Sequence, residues 1–163
     1  MSTPAAVAIA AAVLAKAALI DYRMPKPDDA VIEVWAEVFA GQQVWLAEAI
    51  DAVAVHYRQP EAPRLMPGHI LKIVASLPLG ANSSDDRINH WLGQCSRNPY
   101  SLAVEDRTGI APPQWEPPTG LTIAESTDWA SQQYRAWLLD NRDRLAHAVR
   151  THTPRTGITS DRL

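Results

Sequence analysis

The sequence predicts an all-α fold. A four-helix N-terminal bundle occupies residues 1–78, a Pro-rich irregular linker with a short helix near 85–92 spans 79–125, a long amphipathic helix covers 126–152, and a frayed tail follows over 153–163. Three observations carry this reading. Alanine supplies 26 of the 163 residues, and it is the strongest helix former. Apolar residues recur at three- and four-residue steps in five long stretches, which is the repeat of one helical face. Prolines and glycines gather at the ends of these stretches and between them, where they interrupt helix without breaking it internally.

The first helix runs from Pro4 to Ile20, with Thr3 as its cap and Pro4 at its first position. Ile9, Val13, Leu14, Ala17 and Ile20 form its buried stripe. The run has no basic segment ahead of it and holds Lys16 inside it, so it reads as a buried helix rather than a secretory signal or a membrane span. Tyr22–Pro27 contains two prolines and is a stiff connector. Asp28 caps a second helix whose face is Val31, Ile32, Trp35, Val38 and Phe39, ended by Gly41. Gln42 to Arg58 reads as a third helix, with Leu46, Ile50, Val53 and Tyr57 in register. Pro67 opens a fourth, with Ile70, Ile73, Val74 and Leu77 inward, although Met66 would then sit at the cap without a side-chain oxygen. Helices this short need one another's apolar faces to be stable.

Between Leu79 and Glu125 the texture changes, with five prolines in 47 residues. Ser83 opens the short helix at Asp85 to Leu92, and Pro112-Pro113 and Pro117-Pro118 hold the chain extended around Trp115. From about Thr127 to Thr151 a long stripe returns through Ala130, Tyr134, Trp137, Leu138, Asn141, Leu145, Ala148 and Val149.

Chemistry-bearing patterns are sparse, and no enzyme is expected. The net charge is −3, and both halves are slightly acidic, so a phosphate backbone meets no attracting field and direct nucleic-acid binding is expected to be weak or absent. There is no phosphate-binding glycine loop and no Gly-x-Ser-x-Gly elbow. His56, His69, His90, His147 and His152 show no i, i+4 pair for zinc. Asp85-Asp86 and Glu105-Asp106 read as solvated helix starts. Cys95 is the only cysteine, which excludes an internal disulfide and fits a reducing cytosol. No cofactor and no metal are expected.

Six tryptophans against one phenylalanine shift attention to contacts. Trp35 and Trp45 fall on bundle faces. Trp91, Trp115, Trp129 and Trp137 fall in the second half, where partner contact or self-association through the C-terminal helix competes with packing onto the chain's own core. Laid in a partner's groove, that helix would present Tyr134, Trp137, Leu138 and Leu145 as anchors.

Four segments carry a family resemblance: Leu19-Ile20-Asp21-Tyr22-Arg23-Met24-Pro25, Val31 to Phe39 around Trp35, Glu48 to His56-Tyr57, and Leu65-Met66-Pro67-Gly68-His69-Ile70. Together, over residues 9–77, they resemble the N-terminal domain of the loader-and-inhibitor family of phage replicative-helicase accessory proteins and related actinobacteriophage proteins. The resemblance implies a small helical domain followed by a region that contacts a hexameric, DnaB-like helicase in the host cytosol. The sequence departs from that family in its C-terminal part, where a short flexible tail would be expected and a strong helical pattern stands instead. Two other functions compete, a helical DNA-binding regulator and a structural self-assembly protein. The first finds only Arg64, His69 and Lys72 near its would-be recognition helix.

Overall fold

The computed structural model describes residues 2–153, and all regular structure among them is helical. The helices are α1 (Pro4–Ile20), α2 (Asp29–Phe39), α3 (Leu46–Tyr57), α4 (Pro67–Ser76), α5 (Asp85–Cys95), α6 (Ala103–Thr108), α7 (Ile123–Asp140) and α8 (Arg142–Thr151). The chain divides after Pro78 into two compact units, each with its own core.

In the first unit α1 packs on α2 and α3, and α4 packs on α3 and α2. Small side chains make the helix contacts: Ala10, Ala17, Ala36, Ala49 and Ala52 are wholly buried, and without side-chain bulk the backbones approach closely. Leu14, Phe39, Leu65 and Ile70 fill the remaining space. Both expected caps form, since Thr3 accepts from the Ala6 N–H at 3.2 Å and Asp28 from the Val31 N–H at 2.8 Å.

Two expectations for this unit need correction. Helix α3 starts at Leu46 rather than Gln42, because Gly41 turns the chain in the left-handed region (φ 73°) and Val44 tucks into the core ahead of the helix. Its buried face is accordingly rotated: Ala49, Ala52, Val53 and His56 are inside, whereas Ile50 and Tyr57 are half-buried and Leu46 is exposed. Met66 makes no side-chain cap bond, and the His69 ring instead accepts from the Met66 N–H at 3.2 Å.

The second unit overturns the linker. Residues 79–125 supply α5 and α6, and Ile88, Leu92, Cys95 and Val104 join Tyr134, Leu138, Leu145, Ala146 and Val149 in one core. The cap of α5 is Ser84, not Ser83, whose buried hydroxyl instead accepts from the Gly80 N–H at 2.9 Å. Helix α6 ends on Gly109 in the left-handed conformation that glycine tolerates (φ 69°). The single C-terminal helix is two helices. Helix α7 begins at Ile123, four residues before Thr127, behind a capping box in which the Thr122 N–H donates to Glu125 at 2.7 Å and the Glu125 N–H donates to Thr122 at 3.3 Å. It ends at Asn141, whose side-chain and backbone N–H groups both donate to the Trp137 carbonyl, at 2.9 and 3.0 Å. The backbone bond is the ordinary i→i−4 rung of the helix, whereas the side-chain bond brings a second donor to the same carbonyl, and the helix breaks at this residue (φ −106°, ψ 11°). Apart from Thr153, the tail expected to fray lies outside the described residues.

Candidate interaction surfaces

The residues predicted to anchor a partner separate into two groups. Tyr134 and Leu145 are fully buried and Leu138 is 5% exposed, all within the second core. They are not presented to a partner, which corrects their assignment as docking anchors. The reason is the linker, whose α5 and α6 supply apolar side chains to the same cluster. Trp91, Trp115 and Trp137 are half-buried against that core, and Trp129 is half-buried on α7. Trp115 folds back onto α7: its ring meets Tyr134 edge-on at 5.8 Å and Trp137 at 6.5 Å, while Tyr134 and Trp137 stack at 6.0 Å and 10°. The extended Pro-rich segment therefore spends its tryptophan on internal packing.

An apolar groove of about 390 Å³ runs between α5 and α7. Leu92 and Leu138 reach it from the core, Leu139 stands on its edge 76% exposed, and Arg135 and Arg142 bring positive charge. Gly93 opens it on the α5 side, since a Cβ there would meet nothing within 4 Å. The Arg142 guanidinium is fixed by bonds to Asn89 at 2.9 Å and Asp143 at 2.6 Å, with Asp85 at 3.6 Å. Asp85 also receives Arg150 at 2.6 Å, and this bond, with Arg142 nearby, holds its carboxyl below the usual range. The Asp85 carboxylate is thus an ion-pair partner rather than half of an acid–base pair.

In the first unit a polar corner stands where α1 ends. Asp21 is 5% exposed. One of its oxygens accepts the Arg23 backbone N–H at 2.9 Å and Nε at 2.8 Å; the other accepts Arg23 Nη2 at 2.8 Å and the Tyr57 hydroxyl at 3.0 Å. The Arg23 bonds hold the carboxyl well below the usual range, against the opposing effect of burial. Arg23 also donates to the Ala62 carbonyl at 3.0 Å, so one ion pair joins the end of α1, the end of α3 and the loop after it. Around this corner Leu19 is 89% exposed, Tyr22 95% and Ile20 50%. Sequence reading placed Tyr22–Pro27 in a connector and missed the site. The signal was the Asp21-x-Arg23 spacing at a helix end, which reads as bidentate pairing only once Tyr57 is known to be near.

Burial pushes the Cys95 thiol up to about 11, far from the thiolate a nucleophile requires. The His56 and His69 rings come together, as sequence spacing did not indicate, but no group of three His, Cys, Asp or Glu suited to a metal occurs among the described residues. No described helix is long and apolar enough to cross a membrane. No family model, curated protein or solved structure matches the chain.

Proposed function

We propose that this chain is a non-enzymatic accessory protein that acts by binding another protein, and that the partner is a DnaB-like hexameric replicative helicase of a phage or prophage host. The observation that supports protein binding is the corner at the end of α1. Three large apolar side chains, Leu19, Ile20 and Tyr22, stand in solvent on a backbone fixed by the Asp21–Arg23 ion pair. Exposed apolar groups on rigid backbone cost little ordering entropy when a partner covers them.

The identity of the partner rests on the resemblance over residues 9–77. Two of the segments that carry it, Leu19–Pro25 and the His56-Tyr57 end of α3, meet at this corner through the Tyr57-to-Asp21 hydrogen bond of 3.0 Å. The test is biolayer interferometry of the full chain on purified host helicase, with the helicase's ATPase rate read alongside. Wild type is expected to bind and to change the ATPase rate. A Leu19→Ala/Tyr22→Ala variant is expected to bind at least about tenfold more weakly, as for other exposed anchors. Absence of wild-type binding would refute the helicase as partner, and full binding by the double variant would refute the corner as the contact.

A further inference from the structure

The groove between α5 and α7 asks for a particular occupant. Its apolar walls call for side chains about the size of valine or leucine at helical spacing, and Arg135, exposed on its rim, calls for a carboxylate beside it, Arg142 being held already by Asp143 and Asp85. The exposed face of α2 has both features. On α2, Glu33, Val34, Glu37 and Val38 are all exposed and form two i, i+4 pairs, one acidic and one apolar, and the helix carries no basic residue. Val34 is 60% and Val38 42% exposed because the opposite face of α2, with Trp35, Ala36 and Phe39, is the one that enters the core.

From this match of charge, spacing and size we infer that the α2 face of one copy docks in the α5–α7 groove of a second copy. Val34 and Val38 enter beside Leu139, and Glu37 approaches Arg135. The contact is independent of the helicase reading. The two surfaces differ, so the contact is head-to-tail and builds rings or chains rather than stopping at an isologous dimer. One helix face in a groove of this size buries less than about 1,000 Å², so the association belongs to the weak, concentration-dependent class. It is also salt-sensitive, because its selectivity comes from partly exposed charge.

Sedimentation velocity of the full chain, from about 5 to about 500 µM in low and in high salt, tests this over the range expected of a small interface. The weight-average mass is expected to rise above the 17.9 kDa monomer with concentration, and to rise less in high salt. Arg135→Glu and Glu37→Arg are each expected to weaken association about tenfold or more, and an equimolar mixture of the two variants to restore it, because opposite charges then meet again. Gly93→Leu fills the groove at a position where a Cβ meets nothing within 4 Å. It exchanges glycine for a better helix former, so loss of association in this variant, with an undiminished melting temperature, reports blockage rather than misfolding. A monomer at every concentration overturns the inference. So does association that none of the three substitutions weakens, which would place the contact elsewhere. A monomer whose sedimentation coefficient falls in Glu37→Arg overturns it too, in favour of docking within one chain.

Discussion

The imidazole rings of His56 and His69 lie stacked, 4.9 Å between centroids and 18° from parallel. Each ring has a fixed hydrogen-bonding role. His56 Nε2 sits 2.7 Å from the Pro63 carbonyl and so carries a proton, whereas His69 Nδ1 accepts the Met66 N–H at the start of α4 and so carries none. Burial foremost, then His56 and Lys72, hold His69 below its ordinary pKa. Protonation would turn its acceptor into a donor facing another donor.

The sign of the pH effect follows. The unfolded chain takes up a proton at His69 near the ordinary histidine value of about 6.5, while the folded chain resists until lower pH. The stability of the first unit therefore falls as pH drops from about 7.5 to about 5.5. His69→Gln keeps an acceptor that does not titrate, and its melting temperature should depend less on pH over that window. Equal pH slopes for the variant and wild type would contradict the assignment.

Tyr134 is fully buried, and its hydroxyl has no hydrogen-bond partner among the described residues. Burial also pushes that hydroxyl up to about 12. An unpaired buried hydroxyl costs about 1 to 3 kcal/mol. Tyr134→Phe keeps the ring against Trp115 and Trp137 and removes the orphaned oxygen, so chemical denaturation should show the second unit more stable by about 1 kcal/mol. A loss of similar size would mean that the hydroxyl has a partner.

Glu61 holds a left-handed backbone (φ 57°) in the turn after α3, the one described non-glycine residue with positive φ. For a residue with a Cβ this conformation costs about 1 to 2 kcal/mol. Glu61→Gly should raise the melting temperature of the first unit by the equivalent of about 1 kcal/mol, part of the relief being offset by the looser unfolded chain. An unchanged or lower melting temperature would count against strain at this turn.

Deleting residues 126–163 removes Tyr134, Leu138, Leu145, Ala146 and Val149 from the second core and leaves Ile88, Leu92, Cys95 and Val104 without cover. The truncated chain is expected to keep the helicity of α1–α4 and to lose that of α5 and α6 as well as the deleted helices. Far-UV circular dichroism checks this: a spectrum short of only the deleted helices would mean that α5 and α6 stand alone.

The first unit was legible because its signals are local and agree. Thr3 with Pro4 and Asp28 with the Trp35 stripe each fix a start in one short window, and the structure places those helices there, although Ile20 and Val38, read as inward, are exposed. The second unit was read less well for two reasons. Proline density masked α6 and the Thr122–Glu125 capping box, a short pattern that precedes the apolar run it serves. Asn141 then sat within an unbroken apolar period, and its non-helical backbone (φ −106°, ψ 11°) divides that period between two helices. The polar corner at Asp21 was beyond reach for a different cause. Its third member, Tyr57, comes from another helix, and periodicity along a chain does not reveal which helix ends meet.

The Trp115–Tyr134–Trp137 cluster also gives the protein an optical signature. Three rings within 6.5 Å, one pair nearly parallel and the others edge-on, form a rigid and chiral array of coupled transitions. Such an array produces strong near-ultraviolet circular dichroism only while side-chain packing is fixed. Trp115 belongs to a stretch without regular hydrogen bonding, so far-ultraviolet spectra would scarcely register its departure. The aromatic band would collapse at once. A Trp115→Leu chain provides the blank spectrum, and the difference between the two becomes a label-free gauge of whether the Pro-rich segment lies against α7 or has lifted away when a partner is added.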